Sequence, residues 1–193
     1  MLRRSIVVPV LVLLAALSRP VAAEDNGRQG LQSFGLRSAF GQTDRSGITM
    51  ASLLPRLTLF FPAAIDRPLA DRHWQAEMVF EPIVSYINAD TEMVEAGANL
   101  LFVSLSYDRG QRLVPFLEGG EGLLYTDLTG GGLGTHFQFS SQVGGGAHWF
   151  LDRTTALTLS YRMRHISNAG ISRENSGLNT DFFSIGLSIF PKR

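Results

Sequence analysis

Apolar and polar residues alternate with a period of two over long stretches of this chain. Between 74 and 86 the even positions carry Trp74, Ala76, Met78, Phe80, Pro82, Val84 and Tyr86, while the odd ones include Gln75, Glu77, Glu81 and Ser85. The stretch from Thr154 to Asn168 repeats the pattern. It sets Leu157, Leu159, Tyr161 and Met163 against Thr158, Ser160, Arg162 and Arg164. Near the end, Phe183, Ile185, Leu187 and Ile189 oppose Ser184, Gly186 and Ser188. Side chains of a strand point alternately to its two faces, so each stretch predicts a strand with one apolar and one polar side. Trp74 and Tyr86 stand at the two ends of the apolar row, where aromatic rings mark the levels of a lipid–water interface.

Extended along the chain, the pattern predicts eight strands, over residues 32–41, 48–61, 73–88, 92–107, 112–127, 136–151, 154–168 and 180–190. Strands 2, 4 and 5 alternate less cleanly, with Arg56, Pro115 and Glu121 in awkward places, which predicts bulges or shifted strand boundaries there. An even number of strands, each long enough to cross a bilayer at a tilt, predicts an all-β fold: an eight-stranded antiparallel transmembrane β-barrel of the bacterial outer membrane. Closure removes the edges along which such strands would aggregate. A soluble sandwich or lipocalin-like barrel is the competing arrangement, with the apolar face inward. Strand length and the aromatic ends favour the membrane. Arg162 and Arg164 then belong inside, where Glu77, Glu81 or Glu118 can meet them, because an arginine in mid-bilayer lipid costs roughly 2–4 kcal/mol.

If the N-terminus starts in the periplasm, odd strands ascend and the seventh delivers residues 164–168 to the extracellular rim. The tight Asp152-Arg153 turn is then periplasmic, the glycine-rich 127–135 and polar 169–179 loops are external, and the 62–72 connection is long for a periplasmic turn.

The first residues set the compartment. Arg3 and Arg4 precede an apolar run of 12 residues from Ile6 to Leu17, and Val21-Ala22-Ala23 follows with small residues suited to cleavage. The run is short of the roughly 20 residues a spanning helix needs. Residues 1–23 therefore read as a cleaved signal peptide and 24–193 as the barrel. Three of the 17 basic residues lie in that leader, leaving 14 against 17 acidic ones, a net charge of about −3. No basic face is available for nucleic acid. The absence of cysteine excludes disulfides, thiolate catalysis and cysteine metal sites. His73 falls on the third predicted strand and His136 and His148 at the two ends of the sixth, without ligand spacing. The Gly130-Gly131-Gly132-Leu133-Gly134 run lacks the Lys-Ser/Thr of a phosphate loop. Neither a metal nor a cofactor is expected, and the sequence leaves a homodimer open.

His165 and Ser167, two residues apart, project from the apolar face of strand 7. A base beside a hydroxyl is the minimum for acyl transfer, with a third group needed to hold the imidazole tautomer. A pair of polar residues at a barrel rim is the plainer reading of the same triplet.

The surrounding residues decide between them. Arg164-His165-Ile166-Ser167-Asn168-Ala169-Gly170-Ile171, followed by Asn175-Ser176-Gly177-Leu178-Asn179, closely resembles the active-site stretch of the lipid A 3-O-deacylase family, the PagL-type acyloxyacyl hydrolases. Pro115-Phe116-Leu117-Glu118-Gly119-Gly120 with Gly122-Leu123-Leu124-Tyr125, and Phe137-Gln138-Phe139 with Gly144-Gly145-Gly146, look like the family's fifth and sixth strands. The resemblance covers roughly 112–190.

It implies an outer-membrane esterase, surrounded by outer-membrane lipids, that removes the 3-O-linked acyl chain of lipid A drawn laterally from the outer leaflet. His165 is then the base and Ser167 the nucleophile. The family's glutamate falls at Asn179, whose amide oxygen can still accept from the imidazole N–H. Asp181, two residues on and on the same face, is the alternative orienting group, and Glu174 a remoter one. The resemblance also implies that Asn168 helps bind the oxyanion, that Gly170 adds a backbone N–H, and that Phe139 belongs to the substrate site. By strand counting Phe139 lies on the inward edge, or outward if a bulge intervenes. The alternative function is a non-catalytic structural or lipid A-binding barrel whose triad decayed at Asn179.

Overall fold

The structure is a computed structural model that describes residues 30–130 and 132–191; the predicted signal peptide lies outside the described residues. Eight antiparallel strands form a closed barrel in chain order: β1 (Leu31–Thr43), β2 (Thr49–Phe60), β3 (Trp74–Asn88), β4 (Glu92–Tyr107), β5 (Leu113–Thr126), β6 (Phe137–Phe150), β7 (Thr155–Ser167) and β8 (Leu178–Ile189). β8 closes on β1 through ten paired positions, from Phe34↔Ile189 to Thr43↔Thr180. Each strand exceeds the roughly 9–11 residues that cross a bilayer at a tilt.

Burial decides between the two barrels the sequence allowed. The large exposed side chains include Leu53, Phe80, Val84, Leu117, Val143, Leu159, Met163, Phe183, Ile185 and Leu187, whereas Arg37, Arg56, Glu77, Glu81, Glu95, Glu118, Arg162 and Arg164 are buried in the lumen. A soluble barrel would be the reverse, so the aliphatic belt calls for a lipid surround.

The lumen is a filled core. Glu81 accepts from Arg56 at 2.9 Å, from Arg162 Nη2 at 2.9 Å and from Asn99 at 3.1 Å. Glu118 accepts from Arg37 at 3.2 Å, from Arg56 Nη2 at 2.9 Å and from Arg162 Nε. Arg162 thus joins two of the three glutamates expected to meet it. Glu77 instead accepts from Gln75, and Arg164 pairs with Glu95, a partner not anticipated. Glu77 apart, each of these charges is buried in contact with an opposite one, the condition under which burial is tolerable.

Beyond the ions, one end of the lumen is sealed by Met50, Leu54, Ile83, Ile87, Leu133, Ile166, Leu178 and Phe182, and the other by Val114, Phe150, Ala156 and Phe190.

The irregularities fall elsewhere than expected in part. β2 alternates without a break, and Arg56 points inward as an ion-pair hub rather than marking a bulge. One bulge is in β4, where Asn99 opposes Gly122 but Leu101 opposes Glu121, so the consecutive Leu100 and Leu101 both face outward, and a second register shift falls at the start of β1, between Leu31 and Ser33. Pro115 sits one residue beyond the β4–β5 ladder, which begins at Phe116, so its missing N–H costs no bond there. Glu121 faces outward and accepts from Ser141 Oγ at 2.7 Å. The long 61–73 connection contains one helix, α1 (Ala63–Ala70). It lies at the end of the barrel opposite the 44–48, 127–136 and 168–177 loops that frame the candidate site.

Candidate active site on the outer face

Strand register assembles the site. His165 on β7 stands directly opposite Asn179 on β8, and on its other side opposite Ser141 of β6. Ser167, two residues further, stands opposite Phe139. The alternation that sends Arg162 and Arg164 into the lumen sends His165 outward, where it is exposed, and leaves Ser167 half-buried at the rim.

Directly opposed residues are close enough for their side chains to meet. His165 Nδ1 lies 2.7 Å from Asn179 Oδ1. A carbonyl oxygen only accepts, so Nδ1 carries the proton and donates, leaving Nε2 with its lone pair. Gly177 makes room for the ring. Its φ is +73°, and a Cβ there would collide with His165 Cε1 and Nε2. The Nε2 edge therefore lies over Gly177, just where β8 pairing gives out beside Ser167. Ser167 Oγ has no hydrogen-bond partner among the described residues, so the two side chains share a face and are not hydrogen-bonded to each other.

Asp181 is engaged elsewhere. Tyr161 Oη donates to its Oδ1 at 2.6 Å, which ties the carboxylate to the row below His165. Glu174 is exposed in the loop, and its main-chain oxygen accepts from Asn168.

Two expectations for oxyanion binding need correction. Asn168 is fully buried, and both protons of its Nδ2 are committed, to Leu133 O and Glu174 O, each at 2.7 Å. Its Oδ1 accepts from Gly170 N at 2.9 Å and Ser172 N at 3.3 Å. Asn168 is thus the hub that folds the loop, and neither its amide nor the Gly170 N–H is free to meet an oxyanion. Among the described residues, Ala169 N–H has no acceptor, and Ala169 adopts a left-handed φ of 52° that a non-glycine residue rarely takes. Phe139 is also corrected: it faces outward with no bulge in its ladder, edge-on to Phe137 with centroids 5.5 Å apart.

Sequence reasoning passed over Asp44, in the bend after β1. Its carboxylate accepts from Asn179 Nδ2 at 2.7 Å and from Asn179 N at 3.3 Å, and its own N–H donates to Asn179 O at 3.0 Å. The remaining histidines are scattered. His136 stacks on Tyr125, and His148 meets Thr158 in the lumen. No group of His, Asp and Glu among the described residues is arranged to hold a metal.

The profile of a family described as "Lipid A 3-O-deacylase (PagL)" matches residues 56–188. The crystal structure of the outer membrane enzyme PagL superposes with a TM-score of 0.63 at 18% identity, covering 79% of this chain and 97% of that one. Neisserial surface protein A superposes with a TM-score of 0.52 at 14% identity, covering 86% of this chain and 99% of that one. At such identities the two superpositions speak for the barrel fold alone. No curated protein sequence matches the chain.

Proposed function

This chain belongs to the lipid A 3-O-deacylase (PagL) family, and on that premise we propose that it is exported to the outer membrane by a cleaved signal peptide and hydrolyses the 3-O-linked acyl ester of lipid A by a Ser167/His165 mechanism. The observation that carries the reading is the 2.7 Å contact between His165 Nδ1 and Asn179 Oδ1, on the outer face and beside Ser167. It supplies the third member that a bare His-x-Ser triplet lacks, and it keeps the orienting hydrogen bond although Asn179 stands where the family has glutamate.

Ser167 Oγ attacks the ester carbonyl carbon as its proton passes to His165 Nε2. The tetrahedral intermediate then expels the sugar 3-oxygen, which takes that proton. Water, deprotonated by His165, next attacks the acyl-serine, releasing the fatty acid and restoring Ser167. Ala169 N–H is the available donor for the oxyanion in both halves. Phe139, opposite Ser167, offers apolar surface to the acyl chain. The site's place on the lipid-facing outside supports lateral entry, because a lipid A molecule in the outer leaflet reaches Ser167 without passing through the sealed lumen.

A serine-directed alkyl phosphonate bearing a fluorophore tests the mechanism. We expect it to lose its leaving group to Ser167 Oγ and so label folded protein at that residue, to fail with His165→Ala, and to label more slowly when excess lipid A competes for the site. Labelling that maps to another residue, or that survives loss of His165 undiminished, would contradict it.

A further inference from the structure

We infer that Asp44 is a positioning residue that sets the tautomer of His165 through Asn179, so that two residues do here what one glutamate does in the family. The inference rests on the function proposed above and on hydrogen-bond polarity. An ionised carboxylate has no proton to give, so the atom of Asn179 facing Asp44 at 2.7 Å is the amino nitrogen. The amide oxygen is then turned to His165 Nδ1, also at 2.7 Å. An asparagine amide left alone can turn over. Were it to do so here, its N–H would face Nδ1, the ring proton would move to Nε2, and the lone pair that must receive the Ser167 proton would be lost. Asp44 removes that choice.

The grip on Asn179 is threefold and rigid. Asp44 accepts from the side-chain Nδ2 and the backbone N of Asn179, and donates its own N–H to Asn179 O. This continues the β1–β8 ladder one step past Thr43↔Thr180. The next residue anchors the bend, with Arg45 Nη2 donating to Gly177 O at 2.5 Å and Nη1 to Gly130 O at 3.4 Å. The carboxylate also places a negative charge one amide away from the ring that becomes an imidazolium. The alternative orienter, Asp181, has no comparable path to the ring, because Tyr161 holds it.

Two readouts on protein folded in detergent micelles decide the matter. In ¹⁵N spectra of labelled histidine, His165 should carry its proton on Nδ1, and Asp44→Asn, which keeps the shape but can face Asn179 with either donor or acceptor, should give a mixture of tautomers. In lipid A deacylation, Asp44→Asn and Asp44→Ala should each lower kcat about 10- to 100-fold, the scale of loss when an outer partner orienting a functional histidine is removed, with KM little changed. Placing the carboxylate directly on the ring by Asn179→Glu should make Asp44 dispensable, so that Asp44→Ala costs less than about threefold in that background. An Asp44 substitution that costs the same factor in both backgrounds would mark a merely structural role and overturn the inference, as would an unchanged His165 tautomer in Asp44→Asn. Wild-type protein that leaves lipid A intact would overturn the proposed function, and the tautomer spectra would still decide the role of Asp44.

Discussion

The two faces of β7 solve opposite problems. Inward, Arg162 and Arg56 each bridge Glu81 and Glu118, and Arg37 adds a third cation on Glu118, so each of the two glutamates has more than one partner. Outward and one turn of the pleat away, His165 hangs on a single contact to Asn179, which hangs in turn on Asp44. The lumen is redundant and buried, whereas the outer site is a linear chain in which a single contact joins Asn179 to the ring. Redundancy holds a fold against fluctuation. A single chain of contacts fixes one tautomer and one hydroxyl at a surface that must stay open to lipid. The difference teaches that the same strand carries stability and chemistry on opposite sides, so substitutions on the two sides should fail in different ways.

The largest expected effect lies on the outer side. Ser167→Ala and His165→Ala should each lower deacylation by at least about 10⁴-fold, and the double substitution should be hardly worse than either one, because the pair acts as a unit. Both proteins should still show the mobility shift on heating that marks a folded barrel on a gel. Lost heat-modifiability would mean that the two faces are not separable in the way described.

Substitution inside should reverse the pattern. Arg162→Met leaves Glu81 and Glu118 short of one of their two shared partners, and breaking a buried ion pair costs about 3–5 kcal/mol. Unfolding in urea should show that loss, while any molecules that remain folded deacylate at a near wild-type specific rate. A folded but inactive Arg162→Met protein would show that the lumen takes part in the chemistry.

Gly177→Ala sharpens the comparison at the join between the faces. The added methyl meets the edge of the His165 ring and sits at a φ of +73°, which costs an L-residue roughly 1–2 kcal/mol. Displacing the ring by about 1 Å should lower kcat by about 100-fold. Activity should therefore fall much further than stability, as measured on one preparation by both assays.

The smallest effect is expected at the far end. In the turn between β6 and β7, the amides of Thr154 and Thr155 donate to Asp152 Oδ1, both at 2.7 Å, and hold its carboxyl below the usual carboxylate range. A carboxyl depressed by folding stabilises the fold at pH values above its unfolded pKa, and the contribution disappears as pH falls through its folded pKa. Asp152→Ala should slightly lower the melting temperature at neutral pH, and the gap from wild type should close on acidification without any change in deacylation. A gap that persists in acid would assign the side chain a role other than its charge.

What the sequence disclosed follows the same division. The inward placement of Glu77, Arg162 and Ser160 and the outward placement of Leu159 and Ile185 could be read from a period of two, because that period is local and lipid punishes its violation. Arg56 looked awkward only because its luminal partners, Glu81 on β3 and Glu118 on β5, are brought to it by the closed barrel and not by neighbouring residues. Leu100-Leu101 hid the β4 bulge, since two adjacent leucines resemble an ordinary apolar run. At the site, His165, Ser167 and Asn179 stand out as a cluster near one hairpin. Asp44 does not, because only closure of β1 on β8 brings it to a residue 135 positions away. The family resemblance implies an oxyanion role for Asn168. Its amide instead turns inward to the carbonyl of Leu133, contributed by a loop between two other strands, a contact that neighbouring residues do not disclose.

The most direct test of the central claim is mass spectrometry of lipid A from cells that make the wild-type protein, compared with cells making an equal amount of folded Ser167→Ala. The account predicts loss of the mass of one 3-O-linked hydroxyacyl chain with the wild type and an intact profile with Ser167→Ala. Identical lipid A from the two, or loss of a chain from another position, would contradict it.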